Sequence, residues 1–219
     1  MISPIFITGT GTGIGKTLVS AIITEAWGAD YWKPVQAGYM DGTDSEWVQS
    51  VITNNKSKIH PEVYKLKLPA SPHIAAQNEN IEISLDKIYS SYCQLSSDSH
   101  RNANSPVIIE GAGGLLVPLN EKEFVIDLIQ KLNARVILVS RNYLGSINHS
   151  LLTAQTCRQK NIRVLGWIFN DEYMHYEEDI VRWSGYPKLG IIFKLENPDK
   201  KTIRSEADKI KNSLLEFLQ

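Results

Sequence analysis

The sequence has few cysteines, no excess of either charge and no long apolar run. Its only two cysteines, Cys93 and Cys157, lie far apart and form no Cys-x-x-Cys pair, which argues against a disulfide framework or a structural zinc site. Lys and Arg total 23, against 24 for Asp and Glu. This near-neutral balance argues against nucleic acid as a main partner, because phosphate binding requires a basic surface.

Segments that mark membrane or secreted proteins are also missing. No apolar run approaches the ~20 residues that a membrane span needs, and the N-terminal segment has no basic leader of the secretory type. The five histidines show no metal-ligand spacing. We therefore expect a soluble, cytoplasmic protein with no membrane partner, in which residues 1–219 fold as one domain.

What the sequence does contain is an alternation of short apolar runs and amphipathic segments. Strands are predicted at residues 5–8, 31–35, 107–110, 135–139, 164–170 and 189–193. Helices are predicted at residues 16–27, 44–52, 85–95, 124–132, 147–160, 176–183 and 202–218, with residues 54–82 irregular and residues 96–105 a polar loop. Such alternation is typical of βαβ units and predicts an α/β fold with a largely parallel sheet covered by helices on both faces.

The most informative motif is the glycine-rich segment at residues 9–17, between the first strand and the first helix. Its backbone N–H groups and the helix N-terminus would form a P-loop that binds phosphates. Lys16 would reach the β- and γ-phosphates, and the Thr17 hydroxyl would bind Mg²⁺. Thr10 occupies the place of the usual first glycine, and a dinucleotide-binding turn is the alternative. The Gly-Lys-Thr sequence favours a nucleoside triphosphate.

Polar residues also follow the other strands, at the edge where open parallel sheets bind ligands. Lys33 would present a second positive charge to phosphates or substrate, unless it is a surface lysine. Asp44 opens a helix and Glu110 ends a strand that resembles a Walker B strand, so both carboxylates are candidate Mg²⁺ ligands. The alternative for Asp44 is an acid favoured by the helix dipole.

Two further strands are followed by polar residues at the same edge of the predicted sheet. The helix that begins near Gly145 has free N–H groups suited to a substrate carboxylate, although Ser146 alternatively caps that helix. Asn170 and Asp171 follow the strand at residues 164–170, and their amide and carboxylate groups suit the edge of a nucleobase. A polar turn is the alternative there.

Taken together, these motifs resemble the dethiobiotin synthetase family. The matching segments are collinear and comprise residues 9–17, 31–38, 43–47, 71–76, 107–119, 144–155, 166–171 and 189–198. The resemblance implies a P-loop NTPase-like α/β fold, a homodimer with sites at the subunit interface, and Mg²⁺ and ATP. It also implies that 7,8-diaminopelargonic acid and CO₂ are joined and cyclised to dethiobiotin.

The resemblance further implies a role for individual residues. Lys16 and Lys33 would be catalytic, because they would stabilise the negative charge that develops during phosphoryl transfer and ring closure. The implied nucleotide contacts are Gly13, Ile14, Gly15, Lys16, Thr17, Leu18, Asp44, Glu110, Gly111, Ala112, Gly113, Asn170 and Asp171. Mg²⁺ would be held by Thr17, Asp44 and Glu110. The implied substrate contacts are Thr12, Lys33, Ala37, Gly145, Ser146, Ile147 and Asn148, with residues 145–148 contributed by the partner subunit.

Three positions depart from the family pattern. Ala37 stands where the family usually has Ser or Thr, so that contact is lost or is made by Gln36 or the backbone. Gly13 stands where some members carry Glu. Phe193 stands where a proline is common near the adenine.

Three alternative functions can be weighed from the sequence. A related synthetase with a glutaminase region would need a longer chain and a nucleophilic cysteine in a glycine-rich turn. A partition-type ATPase switch usually has an additional lysine near the start of the P-loop, where this chain has Thr10 and Gly11. A nucleotide-binding module without catalysis has only Ala37 in its favour.

Overall fold

A computed structural model describes residues 2–98 and 105–215, with side chains as far as residue 211. The first part contains β1 (Ile5–Gly9), α1 (Lys16–Trp27), β2 (Asp30–Trp32), β3 (Val35–Ala37), α2 (Asp44–Val51), β4 (Ile59–His60), β5 (Tyr64–Leu66), α3 (Pro72–Asn78) and α4 (Leu85–Ser96). The second part contains β6 (Val107–Glu110), α5 (Val125–Lys131), β7 (Arg135–Arg141), α6 (Ser146–Gln159), β8 (Arg163–Asn170), α7 (Tyr176–Ser184), β9 (Lys188–Ile192) and α8 (Lys200–Leu215).

Seven strands form one sheet in the order β4-β2-β6-β1-β7-β8-β9, and their pairings are parallel. The strands β3 and β5 form a separate, two-stranded parallel sheet. Parallel neighbours need crossover connections, which the intervening helices supply. The predicted α/β fold is therefore confirmed.

The large sheet is buried on both faces. Side chains alternate across a strand, so Ile5 and Ile7 of β1 pack in one cluster with α1, α2 and α8, while Phe6 packs in the other cluster with α3 to α7. All three side chains are fully buried. Burial of an aliphatic or aromatic side chain of this size contributes roughly 1.5–3 kcal/mol, so the two clusters fix the strands and the residues that follow them.

The predicted strand at residues 31–35 is confirmed only at its start, in β2, because the chain leaves the large sheet after Trp32. Pro34 has no N–H to donate to a ladder, and its carbonyl accepts hydrogen bonds from the backbone of Val63 and Tyr64 at 2.9 and 3.0 Å. The chain thereby turns into β3, which pairs with β5.

The irregular stretch predicted at residues 54–82 is also wrong in part, since it contains β4, β5 and α3. The remaining predicted elements are confirmed, with bounds that agree within two residues where the structure describes them. Residues 99–104 of the predicted polar loop and residues 216–218 of the predicted last helix lie outside the described residues. Among residues 2–98 and 105–215, no helix combines the length and apolar character needed to cross a membrane.

Candidate active site

The site forms where three adjacent strands of the large sheet end. β6 lies between β2 and β1, and its last residue is Glu110. Lys33 follows β2, and the glycine-rich loop follows β1. In the strand register Tyr31 pairs with Ile108. Because residues two apart share a face of a strand, Tyr31, Lys33 and Glu110 all project toward the side of the sheet that α1 covers.

The glycine-rich loop curves tightly around the start of α1. The Lys16 ammonium donates a 2.6 Å hydrogen bond back to the Gly11 carbonyl, so the loop closes on the lysine's own side chain. Gly15 caps the helix with a φ of 94°, a left-handed conformation that glycine adopts at little cost. A Cβ at Gly15 would lie 2.0 Å from Asn170 Nδ2. Close packing and backbone conformation therefore both require glycine at this position.

Thr17 and Lys33 bring two carboxylates together. The Thr17 hydroxyl lies 3.0 Å from Asp44 Oδ1 and 2.8 Å from Glu110 Oε1, and its single proton is donated to one of them at a time. The Lys33 ammonium lies 2.5 Å from Asp44 Oδ2 and 2.9 Å from Glu110 Oε1. The other oxygen of Glu110 accepts a 2.8 Å hydrogen bond from the Tyr31 hydroxyl. These side chains form one hydrogen-bonded network.

Burial and charge shift the pKa values in this network. Burial opposes the charge on Lys33, but Glu110 and Asp44 outweigh it and raise the lysine's pKa. Burial likewise opposes the charge on Asp44, and Lys33 with Thr17 outweighs it and lowers that pKa. Burial lowers the pKa of Lys16 to about 8, with Glu110 opposing this shift and Lys33 adding to it. Burial beside Glu110 raises the pKa of Tyr31 well above its ordinary value.

Asp44 is held at the first turn of α2 by two devices. Thr43 and Glu46 form a capping box, in which the Thr43 side chain accepts from the Glu46 N–H and the Glu46 carboxylate accepts from the Thr43 N–H. In addition, Gln36 Oε1 accepts a 3.2 Å hydrogen bond from the Asp44 N–H, while Gln36 Nε2 donates to the Gly38 carbonyl at 2.8 Å. Both the oxygen and the nitrogen of the Gln36 amide are thus hydrogen-bonded within the protein.

A cavity of about 700 Å³ opens over this network. Its lining is drawn from the glycine-rich loop, the β3 segment, the turn before α3 and the segment after β6. The lining residues are Thr12, Gly13, Gly15, Lys16, Thr17, Lys33, Val35, Gln36, Ala37, Asp44, Pro69, Ala70, Ser71, Pro72, Glu110, Ala112, Gly113 and Val117. The predicted phosphate, metal and lysine positions therefore share one cavity, and Ala37 lies in its wall.

Other predicted contacts do not line this cavity. These residues are Ile14, Leu18, Gly111, Asn170, Asp171, Gly145, Ser146, Ile147 and Asn148. Asn170 instead donates from Nδ2 to the Ile14 carbonyl at 2.9 Å, and Asp171 Oδ2 lies 3.3 Å from the Arg141 guanidinium. Gly111 packs against the Phe6 ring, which a Cβ would meet at 2.6 Å. Asn170 thus ties β8 to the glycine-rich loop.

The turn before α6 positions the predicted carboxylate site. Gly145 caps α6 with a φ of 102°. The buried Ser146 hydroxyl accepts a 3.3 Å hydrogen bond from the Tyr143 N–H, and the Ser146 N–H donates to the Tyr143 carbonyl at 2.9 Å. The Ser146 side chain therefore closes the turn, and the backbone of residues 145–148 carries the N–H groups that begin the helix.

The donor set at Thr17, Asp44 and Glu110 fits Mg²⁺. Within the part of the chain that the structure describes, no group of three or more His, Cys, Asp or Glu residues could hold a metal by itself. Mg²⁺ prefers oxygen ligands and is usually held by one or two carboxylates together with phosphates and water. Two carboxylates and one hydroxyl beside a phosphate loop meet that requirement, although Lys33 now pairs with both carboxylates.

Three residues of the site escaped the sequence analysis or had no firm role in it. Residues 31 and 33 are two apart, so an extended chain places Tyr31 on the same face as Lys33. This spacing is the signal that could have identified Tyr31. Gln36 was considered as a substrate contact, yet its amide fixes Asp44 and Gly38. Ser71 lines the cavity, and its hydroxyl lies 3.1 Å from His73 Nδ1; only the motif at residues 71–76 pointed to it.

Comparison with known proteins identifies the family of this chain. The family model AAA_26, described as an AAA domain, matches residues 3–202. The chain is 48% identical to the ATP-dependent dethiobiotin synthetase BioD of Cytophaga hutchinsonii, over 94% of this chain and 95% of the relative. It is 40% identical to the protein of the same name from Christiangramia forsetii, over 97% of this chain and 98% of the relative.

The chain belongs to the ATP-dependent dethiobiotin synthetase family. The family resemblance seen in the motifs is thereby confirmed. Solved structures of a cell division complex and of a ParA family ATPase share the fold of this dethiobiotin synthetase family member. The MinC:MinD cell division complex of Aquifex aeolicus matches 99% of this chain and 96% of its own, with a TM-score of 0.63 and 14% identity. A ParA family ATPase from Chlorobium tepidum matches with a TM-score of 0.57 and 12% identity.

Proposed function

We propose that the protein is an ATP-dependent cyclo-ligase that forms dethiobiotin in biotin biosynthesis. The observation that carries this proposal is the convergence of the phosphate loop, Lys33 and two carboxylates at one cavity, in a chain 48% identical to a named dethiobiotin synthetase. The substrates would be 7,8-diaminopelargonic acid, CO₂ and ATP. Residues 1–219 would act as one P-loop domain, with the cytoplasm as its setting.

The proposed reaction has three steps. One amine of the substrate adds to CO₂ and, after losing a proton, becomes a carbamate. A carbamate oxygen then attacks the γ-phosphorus of ATP, which gives a carbamic-phosphoric mixed anhydride and releases ADP. The second amine attacks the carbamate carbon, and the C–O bond to phosphate breaks, so that inorganic phosphate leaves and the ureido ring closes.

Lys16 and Lys33 supply the positive charge that this sequence needs. Lys16 begins α1, where the helix N-terminus and the loop N–H groups favour the phosphates. Lys33 follows β2 and lines the same cavity. Both lysines are buried, and preorganised charges in such sites stabilise developing negative charge more than they would in water. In this account both lysines are catalytic, with Thr12 and Ala37 beside the substrate.

Mg²⁺ would be held by Thr17, Asp44 and Glu110, and it would neutralise phosphate charge during transfer. Lys33 pairs with both carboxylates. Its positive charge therefore offsets the repulsion between the two acids. The loop residues 13–18 and residues 111–113 would complete the ATP site, with Asn170 and Asp171 toward the base.

The protein would act as a homodimer, as the resemblance implies. The N-terminus of α6, at residues 145–148, does not line the cavity of its own chain. Leu144, which precedes the helix, and Leu152, which lies within it, are both exposed. A second copy that covers this surface would bring the N–H groups of one chain toward the cavity of the other, where they would receive the substrate carboxylate.

The proposal is tested with purified protein, diaminopelargonic acid, bicarbonate and Mg²⁺-ATP, with mass spectrometry of the product. A ureido product that requires all four components supports the function. ATP hydrolysis without that product would instead favour the ATPase-switch alternative. Sedimentation velocity of the parent and of Leu152→Asp tests the dimer, which the added charge should dissociate.

A further inference from the structure

Tyr31 is a buried polar residue of the site that the proposed reaction does not use. Its side chain is fully buried, and its hydroxyl donates to Glu110 Oε2 at 2.8 Å. In the strand register Tyr31 pairs with Ile108, two residues before Glu110. The Tyr31 ring therefore lies on the same face of the sheet as Glu110, and its hydroxyl contacts the carboxylate from the interior of the sheet.

The two oxygens of Glu110 have different partners. Oε2 accepts from Tyr31, whereas Oε1 faces the Thr17 hydroxyl at 2.8 Å and the Lys33 ammonium at 2.9 Å. Glu110 is only 1% exposed. Turning the carboxylate would therefore leave a buried oxygen without its hydrogen bond, which is costly for a charged group.

We propose that Tyr31 is a positioning residue that fixes Glu110 so that Oε1 alone faces the Thr17 and Lys33 side of the site. This inference rests on the proposed function only in taking Glu110 as a ligand of the nucleotide-bound metal. Partners behind a metal-binding carboxylate orient it, and their loss typically lowers metal affinity by roughly 10–100-fold. Tyr31 would thus set how Glu110 meets the metal without touching the metal or the substrate.

The decisive variant is Tyr31→Phe, which removes the hydroxyl and keeps the ring. Mn²⁺ binding is followed by electron paramagnetic resonance in the presence of a non-hydrolysable ATP analogue. We expect the Mn²⁺ affinity to fall about tenfold, while the affinity for the analogue without metal stays unchanged. In a Glu110→Gln background, Tyr31→Phe should cause no further loss, because the two residues act through one hydrogen bond.

Tyr64→Phe is the matched control. Tyr64 is also buried, and its hydroxyl accepts a 2.9 Å hydrogen bond from the Ser84 N–H instead of serving Glu110. Equal weakening of Mn²⁺ binding in both variants would overturn the proposal, as would unchanged Mn²⁺ affinity in folded Tyr31→Phe. If Tyr31→Phe does not fold, 3-fluorotyrosine at position 31 keeps the hydroxyl. Its ¹⁹F resonance should shift when Mg²⁺ and the analogue bind, and no shift would contradict the role.

The outcomes separate this inference from the proposed function. If Tyr31→Phe lowers Mn²⁺ affinity tenfold but the parent forms no ureido product, the positioning role is supported and the cyclo-ligase is rejected. A ureido product formed by the parent, with parental Mn²⁺ affinity in folded Tyr31→Phe, would support the cyclo-ligase and reject the positioning role.

Discussion

Lys33 and Glu110 form a buried ion pair, with Nζ 2.9 Å from Oε1 and side-chain exposures of 8% and 1%. An isolated charge at such a site would be costly. The pair is tolerated because Asp44 also contacts the lysine and because Thr17 and Tyr31 hydrogen-bond the carboxylate. The same residues therefore stabilise the fold at this site and take part in the proposed reaction.

The first prediction concerns stability. Lys33→Gln removes the positive charge and leaves Glu110 buried without its ion pair, so the free energy of unfolding of the ligand-free protein should fall by about 3 kcal/mol. Urea denaturation measures it. Lys58→Gln is the control, because Lys58 pairs with Asp98 at the surface, where such pairs contribute about 1 kcal/mol or less. Equal losses in the two variants would contradict the role assigned to burial.

The second prediction concerns catalysis by the same residue. Lys33→Gln should lower kcat about a hundredfold, the scale of losing one electrostatic stabiliser. ATP affinity, measured by calorimetry, should stay close to that of the parent because Lys16 and the loop remain. An unchanged kcat would remove Lys33 from the catalytic machinery.

The third prediction separates folding from function at Lys16. Lys16→Ala should abolish nucleotide-dependent turnover, because the ammonium beside the phosphates is lost. Thermal stability should change little in Lys16→Met, because the loss of the hydrogen bond to the Gly11 carbonyl is offset by the removal of a charge whose burial lowers its pKa to about 8. Lys56→Ala, an exposed lysine, serves as the control. Turnover of Lys16→Ala within about tenfold of the parent would refute the phosphate role.

The fourth prediction compares two glycines of the same loop. Gly15→Ala forces a side chain into a left-handed conformation and against Asn170 Nδ2 at 2.0 Å. The free energy of unfolding should fall by about 2 kcal/mol, since the left-handed conformation alone costs roughly 1–2 kcal/mol. Gly11→Ala is the control, because nothing lies within 4 Å of its added Cβ. Chemical denaturation that shows both variants equally stable would contradict this packing.

The fifth prediction concerns acid stability away from the site. Glu25 accepts hydrogen bonds from the backbone and side chains of Thr53 and Asn54. Burial opposes the charge on Glu25, but these donors outweigh it and lower the carboxyl pKa below its ordinary value of 4.5. A carboxyl with a lowered pKa stabilises the fold above the pKa of the unfolded chain, and this stabilisation is lost as the pH falls through the folded pKa.

Glu25→Gln should therefore destabilise the protein at pH 7 by about 1 kcal/mol, a modest amount because the group is partly exposed. The difference from the parent should shrink as the pH falls below about 4.5. Glu82→Gln, at an exposed glutamate, is the control for removing one negative charge. Urea midpoints measured across this pH range would contradict the assignment if the gap stayed constant.

Most of the fold could be predicted because its strands and helices are long enough to show a pattern. Residues 16–27 gave α1 and residues 107–110 gave β6, since apolar periodicity and flanking glycines agree there. The exceptions have physical causes. β4 and β5 are only 2 and 3 residues long, too short for alternation to be visible. The break at Pro34 depends on hydrogen bonds from Val63 and Tyr64, which no local pattern reveals.

The site followed from the sequence where chemistry and strand position coincide. Thr17, Asp44 and Glu110 were expected together, and hydrogen bonds join them. Tyr31 acts through Glu110 and Gln36 acts through Asp44. Their residue types alone therefore indicate no role in the site. Residues 145–148 and Asp171 do not line the cavity of the single chain. Their contacts with substrate and nucleotide stay predictions, because these contacts require a second copy or a bound nucleotide.

The most direct test of the account follows oxygen through the reaction. ¹⁸O-labelled CO₂ is supplied with diaminopelargonic acid and Mg²⁺-ATP, and the products are sampled by mass spectrometry before the label exchanges with water. The mixed-anhydride route predicts one labelled oxygen in the ureido carbonyl and one in the released phosphate, because a carbamate oxygen leaves with phosphorus. Phosphate that carries no label, with or without ring closure, would contradict the central claim.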